Sequence, residues 1–319
     1  MTDFWVQGRF VVTGGAGFLG RAVTRGLDER GAKNVFVPRS KDYDLRVEKD
    51  AKRMYADFEP THVIHLAATA GGIGANRREP GRFFYDNIIM GVHLIEHARL
   101  AELEKFVLVG TVCAYPKFAE IPFREENIWE GYPEETNAPY GIAKKSLMVM
   151  ARAYRAQYDL NAITLLPANL YGPYDDFSYE DSHVIPALIR KFVEAKSYGV
   201  GSVDIWGTGE ATREFLYVDD CAEGILLATE KYSSAEPVNM GCSREISIAN
   251  LVGMIMNEVG YKGKLTFDPS KPDGQPRRML DNSRAKNAFG YEAKVLLEEG
   301  IRRTVKWYIE EGAKIWSGK

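Results

Sequence analysis

Residues 9–20 read RFVVTGGAGFLG. The apolar, β-branched run FVV enters a turn carrying Gly14, Gly17 and Gly20, and RAVTRGLDERG beyond it has the make-up of a helix. Glycine at this spacing permits the tight turn, lets backbone amides approach a pyrophosphate and allows strand and helix to pack closely. An ordinary structural turn is the alternative for a glycine pattern alone. The position between a strand and a helix favours dinucleotide binding, with contacts expected from Gly14, Gly17, Phe18, Leu19 and Gly20.

Working outward, NVFVPRS, THVIHLAA, KFVLVGT and NAITLLPAN are further short apolar runs, and helical stretches separate the runs of the first half. That alternation predicts an α/β fold, a Rossmann-type doubly wound parallel sheet, with a smaller C-terminal substrate-binding lobe. The expected division is a cofactor-binding domain over 1–168, part of 213–243 returning to it, and an interleaved substrate lobe over 169–319. Past residue 170 the pattern loosens. PYDDFSYEDSH is turn-rich, and VIPALIRKFVEAK reads as an amphipathic helix. VDIWGTGEATREFLYVDD mixes a strand, a glycine turn and a second extended run, AEGILLATEK and ISIANLVGMIMNEVG look helical, and KLTFDPSKPDGQPRRMLD is loop-rich.

The chain has 319 residues, 45% hydrophobic and 27% charged, enough for a sizeable core. A net charge of −3 gives no basic footprint, so nucleic acid is not an expected partner. Cys113, Cys221 and Cys242 lack CxxC spacing, which fits a reducing compartment. No apolar run approaches the roughly 18 residues of a membrane span, so the expectation is a soluble, cytoplasmic protein without membrane contact. His62 and His65 flank a strand, and His93 and His97 share a helix face, but further ligands at suitable spacing are missing and no metal is expected.

The second strand ends in Pro38-Arg39-Ser40 instead of an acidic residue. A carboxylate there binds the ribose hydroxyls of NAD, whereas an arginine can pair with the 2′-phosphate of NADP, so Arg39 favours NADP over NAD; a solvated loop arginine is the alternative. Asp44 and Leu45 follow closely enough to meet the adenine. Tyr140 and Lys144 have the spacing YxxxK, which puts both on one helix face one turn apart. There the ammonium is expected to lower the phenol's pKa and hold a cofactor ribose. Thr111 and Cys113 stand just past the run KFVLVG; packing is the bland reading of that cysteine.

TGGAGFLG, HLAA, GTVCAYP, YGIAK and PANLYGP together resemble the extended short-chain dehydrogenase/reductases acting on nucleotide sugars. More narrowly, GGIGAN, GTVCAYPK, NLYGPYDDF, SHVIPALIRKF, WGTGEATREFLYVDD and DGQPRRMLD resemble the GDP-L-fucose synthases. The resemblance implies an NADPH-dependent enzyme that epimerises C3 and C5 of GDP-4-keto-6-deoxy-D-mannose and reduces C4, giving GDP-L-fucose. Cys113 and His183 fall on its acid/base pair, and Thr111, Tyr140 and Lys144 on its reductive set. Further cofactor contacts are implied at Ala67, Ala68, Pro167, Asn169, Leu170 and His183. Substrate contacts are implied at Asn169, Val184, Lys191, Trp206, Arg213 and Arg278. Thr111 stands where the family usually has serine, and Arg278 where many members carry lysine. A homodimer is also implied. Two alternatives stay open: another nucleotide-sugar 4-epimerase or 4-ketoreductase, and a non-catalytic dinucleotide-binding regulator.

Overall fold

After a short helix α1 (Asp3–Gln7), strand β1 (Arg9–Thr13) runs into the glycine turn and helix α2 (Phe18–Glu29) leaves it. The computed structural model describes residues 3–271 and 273–316. The first half continues through β2 (Asn34–Phe36), α3 (Glu48–Phe58), β3 (His62–His65), α4 (Ile73–Arg78), α5 (Pro80–Leu100), β4 (Lys105–Val109), α6 (Ala138–Tyr158) and β5 (Ala162–Pro167). The second runs through β6 (Asn169–Tyr171), α7 (Val184–Ser197), β7 (Ser202–Trp206), β8 (Thr212–Tyr217), α8 (Val218–Lys231) and β9 (Val238–Met240). It ends with β10 (Glu245–Ser247), α9 (Ile248–Val259), β11 (Lys264–Asp268), α10 (Ser283–Phe289), α11 (Leu297–Trp307) and α12 (Ala313–Trp316).

Six strands form one parallel sheet in the order β2-β1-β3-β4-β5-β9. Every residue of β3, β4 and β5 is buried, because α5 with α6 and α2 with α8 form packed helix pairs over a sheet that has no solvated face. Such strands need continuous apolar runs, and burying each Val, Leu or Ile side chain stabilises by about 1.5–3 kcal/mol. Polar side chains in this core find partners inside it: Thr13 Oγ1 meets His65 Nδ1 at 2.8 Å, and Lys105 Nζ donates to the Thr229 carbonyl at 2.6 Å. Strand order reverses between β1 and β3, and in doubly wound sheets a ligand crevice opens at that point, outside the strands' C-terminal ends.

A second buried cluster gathers around Phe177, Ile189, Phe192, Val203, Ile255 and Ile301. It is served by the three-stranded sheet β10-β8-β6 and by the parallel pair β7 and β11. That pair corrects the loop reading of the stretch from Lys264: Lys264–Asp268 is a strand, in register with Ser202–Trp206. Its partner lies some sixty positions upstream in the sequence, so the pairing leaves no local trace. Among the described residues no helix is long and apolar enough to cross a membrane.

Candidate active site

The residues picked out above as candidate cofactor, substrate and catalytic contacts line one cleft, of about 1820 Å³, between the C-terminal ends of β1, β3, β4 and β5 and the elements α7, β7 and β8. That volume exceeds the roughly 300–1,000 Å³ typical of a pocket for one small molecule, and so leaves room for a dinucleotide beside a second nucleotide.

The glycine turn is a cradle that side chains would fill. Gly14 has φ +70°, and a Cβ on it would lie 2.8 Å from the Ala67 nitrogen; a Cβ on Gly20 would lie 2.1 Å from the Gly14 carbonyl oxygen. Gly17 caps α2 without any side-chain hydrogen bond, which leaves first-turn amides free for an anion, as a pyrophosphate requires. Arg39 is exposed at the cleft mouth. Asp44 is occupied otherwise: its carboxylate takes two hydrogen bonds from Arg46, at 2.9 and 2.8 Å, which hold its pKa down.

Beyond β4 the chain makes a single tight turn, Val112–Ala114, capped by Thr111, whose Oγ1 accepts the Cys113 amide at 3.1 Å. The turn sits directly on α6. A Cβ on Gly141 would lie 2.4 Å from the Cys113 carbonyl oxygen, so glycine is what lets the helix carrying Tyr140 approach the loop carrying Cys113. Lys144 is buried and donates to the Val109 carbonyl at 3.1 Å, and burial lowers its pKa to about 8.

The phenol of Tyr140 behaves differently from the sequence expectation. Burial, then the charge of Cys113, push its pKa well above the usual tyrosine range, and only the hydrogen bond with Thr111 opposes them. Lys144 faces the Val109 carbonyl, and burial with the charge of Cys113 decides the phenol's pKa. Tyr140 therefore keeps its proton at neutral pH, the state that a proton donor needs.

His183 precedes α7 at its N-cap and has 52% of its side chain exposed, into the cleft. Partial desolvation in the cleft works against the imidazolium, but the charges of Asp175 and then Asp176 outweigh it and raise the His183 pKa. Its Nδ1 lies 3.9 Å from Asp175 Oδ1, and the buried Asp175 Oδ2 has no hydrogen-bond partner among the described residues. The segment before His183 is braced by GGIGANRR: Gly72 donates its amide to the Asp181 carbonyl at 2.7 Å, and Arg78 pairs with Asp181 at 2.7 Å.

Across the cleft, Lys191 Nζ donates to the Asp204 carbonyl at 2.7 Å, and Trp206 is 65% exposed, with Lys271 over its ring. Burial and the neighbouring Arg278 lower the Arg213 pKa to about 10, while its Nη2 donates to the Asp273 carbonyl at 2.9 Å. Val184, Asn169 and Leu170 complete this wall. Arg278 stands apart from the surface cations: it is buried and donates to Cys113 Sγ at 3.6 Å. Sequence reasoning passed over Asp175 and Gln275, which support His183 and Arg278. Both lie inside motifs quoted above, but polar residues in loops carry no sign of burial.

A glycine cradle at a helix N-terminus and a Tyr-Lys pair beside a strand-end hydroxyl define a dinucleotide-dependent oxidoreductase of the short-chain type. The chain belongs to the NAD dependent epimerase/dehydratase family, whose model matches residues 10–241. Within it, the chain is similar to GDP-L-fucose synthases. It is 40% identical over 304 residues to the probable GDP-L-fucose synthase 1 of Oryza sativa subsp. japonica, covering 95% of this chain and 92% of the relative. With the GDP-L-fucose synthase of Escherichia coli strain K12 it shares 35% identity over 311 residues, 95% of this chain and 97% of the relative. A crystal structure of a GDP-L-fucose synthetase from Naegleria fowleri bound to NADP superposes with a TM-score of 0.88 at 30% identity, covering 96% of this chain and 95% of that one.

Proposed function

We propose that this enzyme converts GDP-4-keto-6-deoxy-D-mannose to GDP-L-fucose, by epimerisation at C3 and C5 followed by reduction at C4. The observation that carries the reading is that Thr111, Tyr140 and Lys144 line the same cleft as Cys113 and His183. A pure ketoreductase needs only the first group.

Hydrogens on carbons flanking a ketone are acidic enough for a thiolate base. Cys113 takes such a proton: the C–H bond breaks, an S–H bond forms, and the electron pair moves onto the C4 oxygen as an enolate. The Thr111 hydroxyl stands to hydrogen-bond that oxygen. His183, as imidazolium, returns a proton to the opposite face of the carbon and becomes neutral. Thiol and imidazole regain their starting states by exchange with water in the cleft, which is how solvent hydrogen enters the sugar. In the reductive step Tyr140 gives its proton to the C4 oxygen, and Lys144 holds the nicotinamide ribose. NADPH, when bound, supplies the hydride.

Arg39 at the mouth and the tied carboxylate of Asp44 favour NADP over NAD. In this reading residues 1–168 serve the cofactor, with α8 and β9 from 213–243 returning to them, and the rest of 169–319 serves the nucleotide sugar. The protein works as a homodimer through α5 and α6, which expose Tyr85 and Val149; sedimentation at micromolar concentration tests that.

The functional test uses GDP-4-keto-6-deoxy-D-mannose and NADPH in deuterated water. NADPH oxidation with one deuterium gained at each of two carbons is the expected result. Oxidation with no carbon-bound deuterium would leave a plain 4-ketoreductase.

A further inference from the structure

Arg278 is 7% exposed and carries a permanent charge, yet its hydrogen-bond partners include no carboxylate among the described residues. Nε and Nη2 both donate to Gln275 Oε1, at 3.1 and 3.0 Å, and Nη1 donates to Asn169 Oδ1 at 3.3 Å. These acceptors are neutral. The remaining partner is Cys113 Sγ, 3.6 Å from Nη1. A buried cation is costly unless an anion compensates it, and among the described residues Cys113 is the one ionisable side chain to which this guanidinium donates a hydrogen bond.

The guanidinium is also fixed from behind. Gln275 is 3% exposed, and its Nε2 donates to the carbonyls of Lys117 at 2.9 Å and Pro116 at 3.3 Å, on the loop that continues from Cys113. The backbone is held as well: the Arg278 carbonyl accepts the Glu214 amide at 3.0 Å, and the Phe123 amide donates to the Met279 carbonyl at 2.8 Å. Segment 275–279 therefore ties β8 to the loop after β4, with Arg278 pointing at sulfur. Arg213, nearby, is placed instead toward the open cleft and the Asp273 carbonyl.

We propose that Arg278, oriented by Gln275, is the positioning residue that holds Cys113 Sγ at the cleft and stabilises the thiolate that a base requires, and not a substrate contact as the sequence resemblance implies. The assignment rests on the reading of Cys113 as the epimerisation base. A guanidinium beside a thiol favours the thiolate, the form that removes a proton and also the form that alkylates. The second half of the chain thus supplies the charge on which the base in the first half depends.

The test is the rate at which iodoacetamide alkylates Cys113 at pH 7 in substrate-free protein, with Cys113→Ser defining the background from the other cysteines. Arg278→Gln is expected to slow alkylation at least tenfold, Arg278→Lys to restore it to within about threefold of the native rate, and Gln275→Met to slow it by an intermediate factor. The KM for the nucleotide sugar should change less than twofold in Arg278→Lys. Native alkylation in Arg278→Gln with a KM raised tenfold or more would overturn the proposal and return Arg278 to substrate binding. If Arg278→Gln no longer binds NADPH, and so has lost its fold, Gln275→Met decides: an unchanged alkylation rate there overturns the proposal. Because the reagent needs no turnover, a failure of the epimerase reading, seen as absent deuterium exchange in the native enzyme, stays distinct from a failure of the Arg278 assignment.

Discussion

Thr111, Tyr140 and Lys144 stand at the end of β4 and on α6, adjacent elements of the main sheet and its covering layer, with Lys144 fixed by the carbonyl of Val109. Cys113 and His183 are supported otherwise. Arg278 reaches Cys113 from 165 positions along the chain, and Asp175 backs His183 from a loop of the second half. The contrast teaches that a reductive set needs only one strand end and one helix face. On the proposed reading, an acid/base pair on opposite sides of a sugar needs two separately built walls, each supported by a residue brought in from elsewhere in the chain.

The comparison breaks most visibly at the pair itself. Cys113→Ser or His183→Asn should lower deuterium exchange into the 4-keto sugar by about 10²–10⁴-fold, the usual contribution of a general acid or base, while NADPH consumption falls far less. Equal losses in both, followed by mass and by absorbance, would merge the two walls into one.

At the cofactor end, Arg39→Ala should raise the KM for NADPH about 10- to 100-fold, the worth of one charged hydrogen bond, and leave that for NADH nearly unchanged. A parallel rise for both cofactors would remove Arg39 from phosphate recognition.

Asp175→Asn sharpens the other wall. Asp175 raises the His183 pKa, so its charge keeps the imidazolium present to higher pH. Without it the proton leaves at lower pH, and the alkaline limb of the exchange rate should move down, with a loss of about three- to tenfold at pH 8. An unmoved limb in the pH profile of exchange would show that Asp175 only packs.

The smallest effect on chemistry is expected where the helix of Tyr140 touches the turn of Cys113. In Gly141→Ala the new methyl would meet the Cys113 carbonyl, 2.4 Å from its Cβ, and must push α6 and the Cys113 loop apart. Overpacking of this kind costs about 1–3 kcal/mol, read as a lower melting temperature, and both half-reactions should fall together by similar factors. A fall in one alone would mean that the two sets do not share this contact.

Much of this was legible in order along the chain. FVV followed by GGAGFLG specifies a strand, a turn and a helix N-terminus because each step has a local cause, and YxxxK specifies a shared helix face for the same reason. The fully buried strands β3, β4 and β5 announce themselves as unbroken apolar runs. What could not be read depends on distant partners. Lys264–Asp268 becomes a strand only beside Ser202–Trp206, and DGQPRRMLD shows nothing of Gln275 turning Arg278 onto sulfur. The direction of the Tyr140 shift was misjudged for a related reason: the spacing places Lys144 nearby, but burial decides the phenol's proton, and burial belongs to the folded molecule.

The claim that epimerisation and reduction are separately supported is tested most directly with Tyr140→Phe, given GDP-4-keto-6-deoxy-D-mannose and NADPH in deuterated water. Two carbon-bound deuteriums should still enter the sugar, while NADPH oxidation falls by about 10²–10⁴-fold for want of the proton donor. Loss of deuterium exchange along with reduction, in protein that still binds NADPH, would contradict the account.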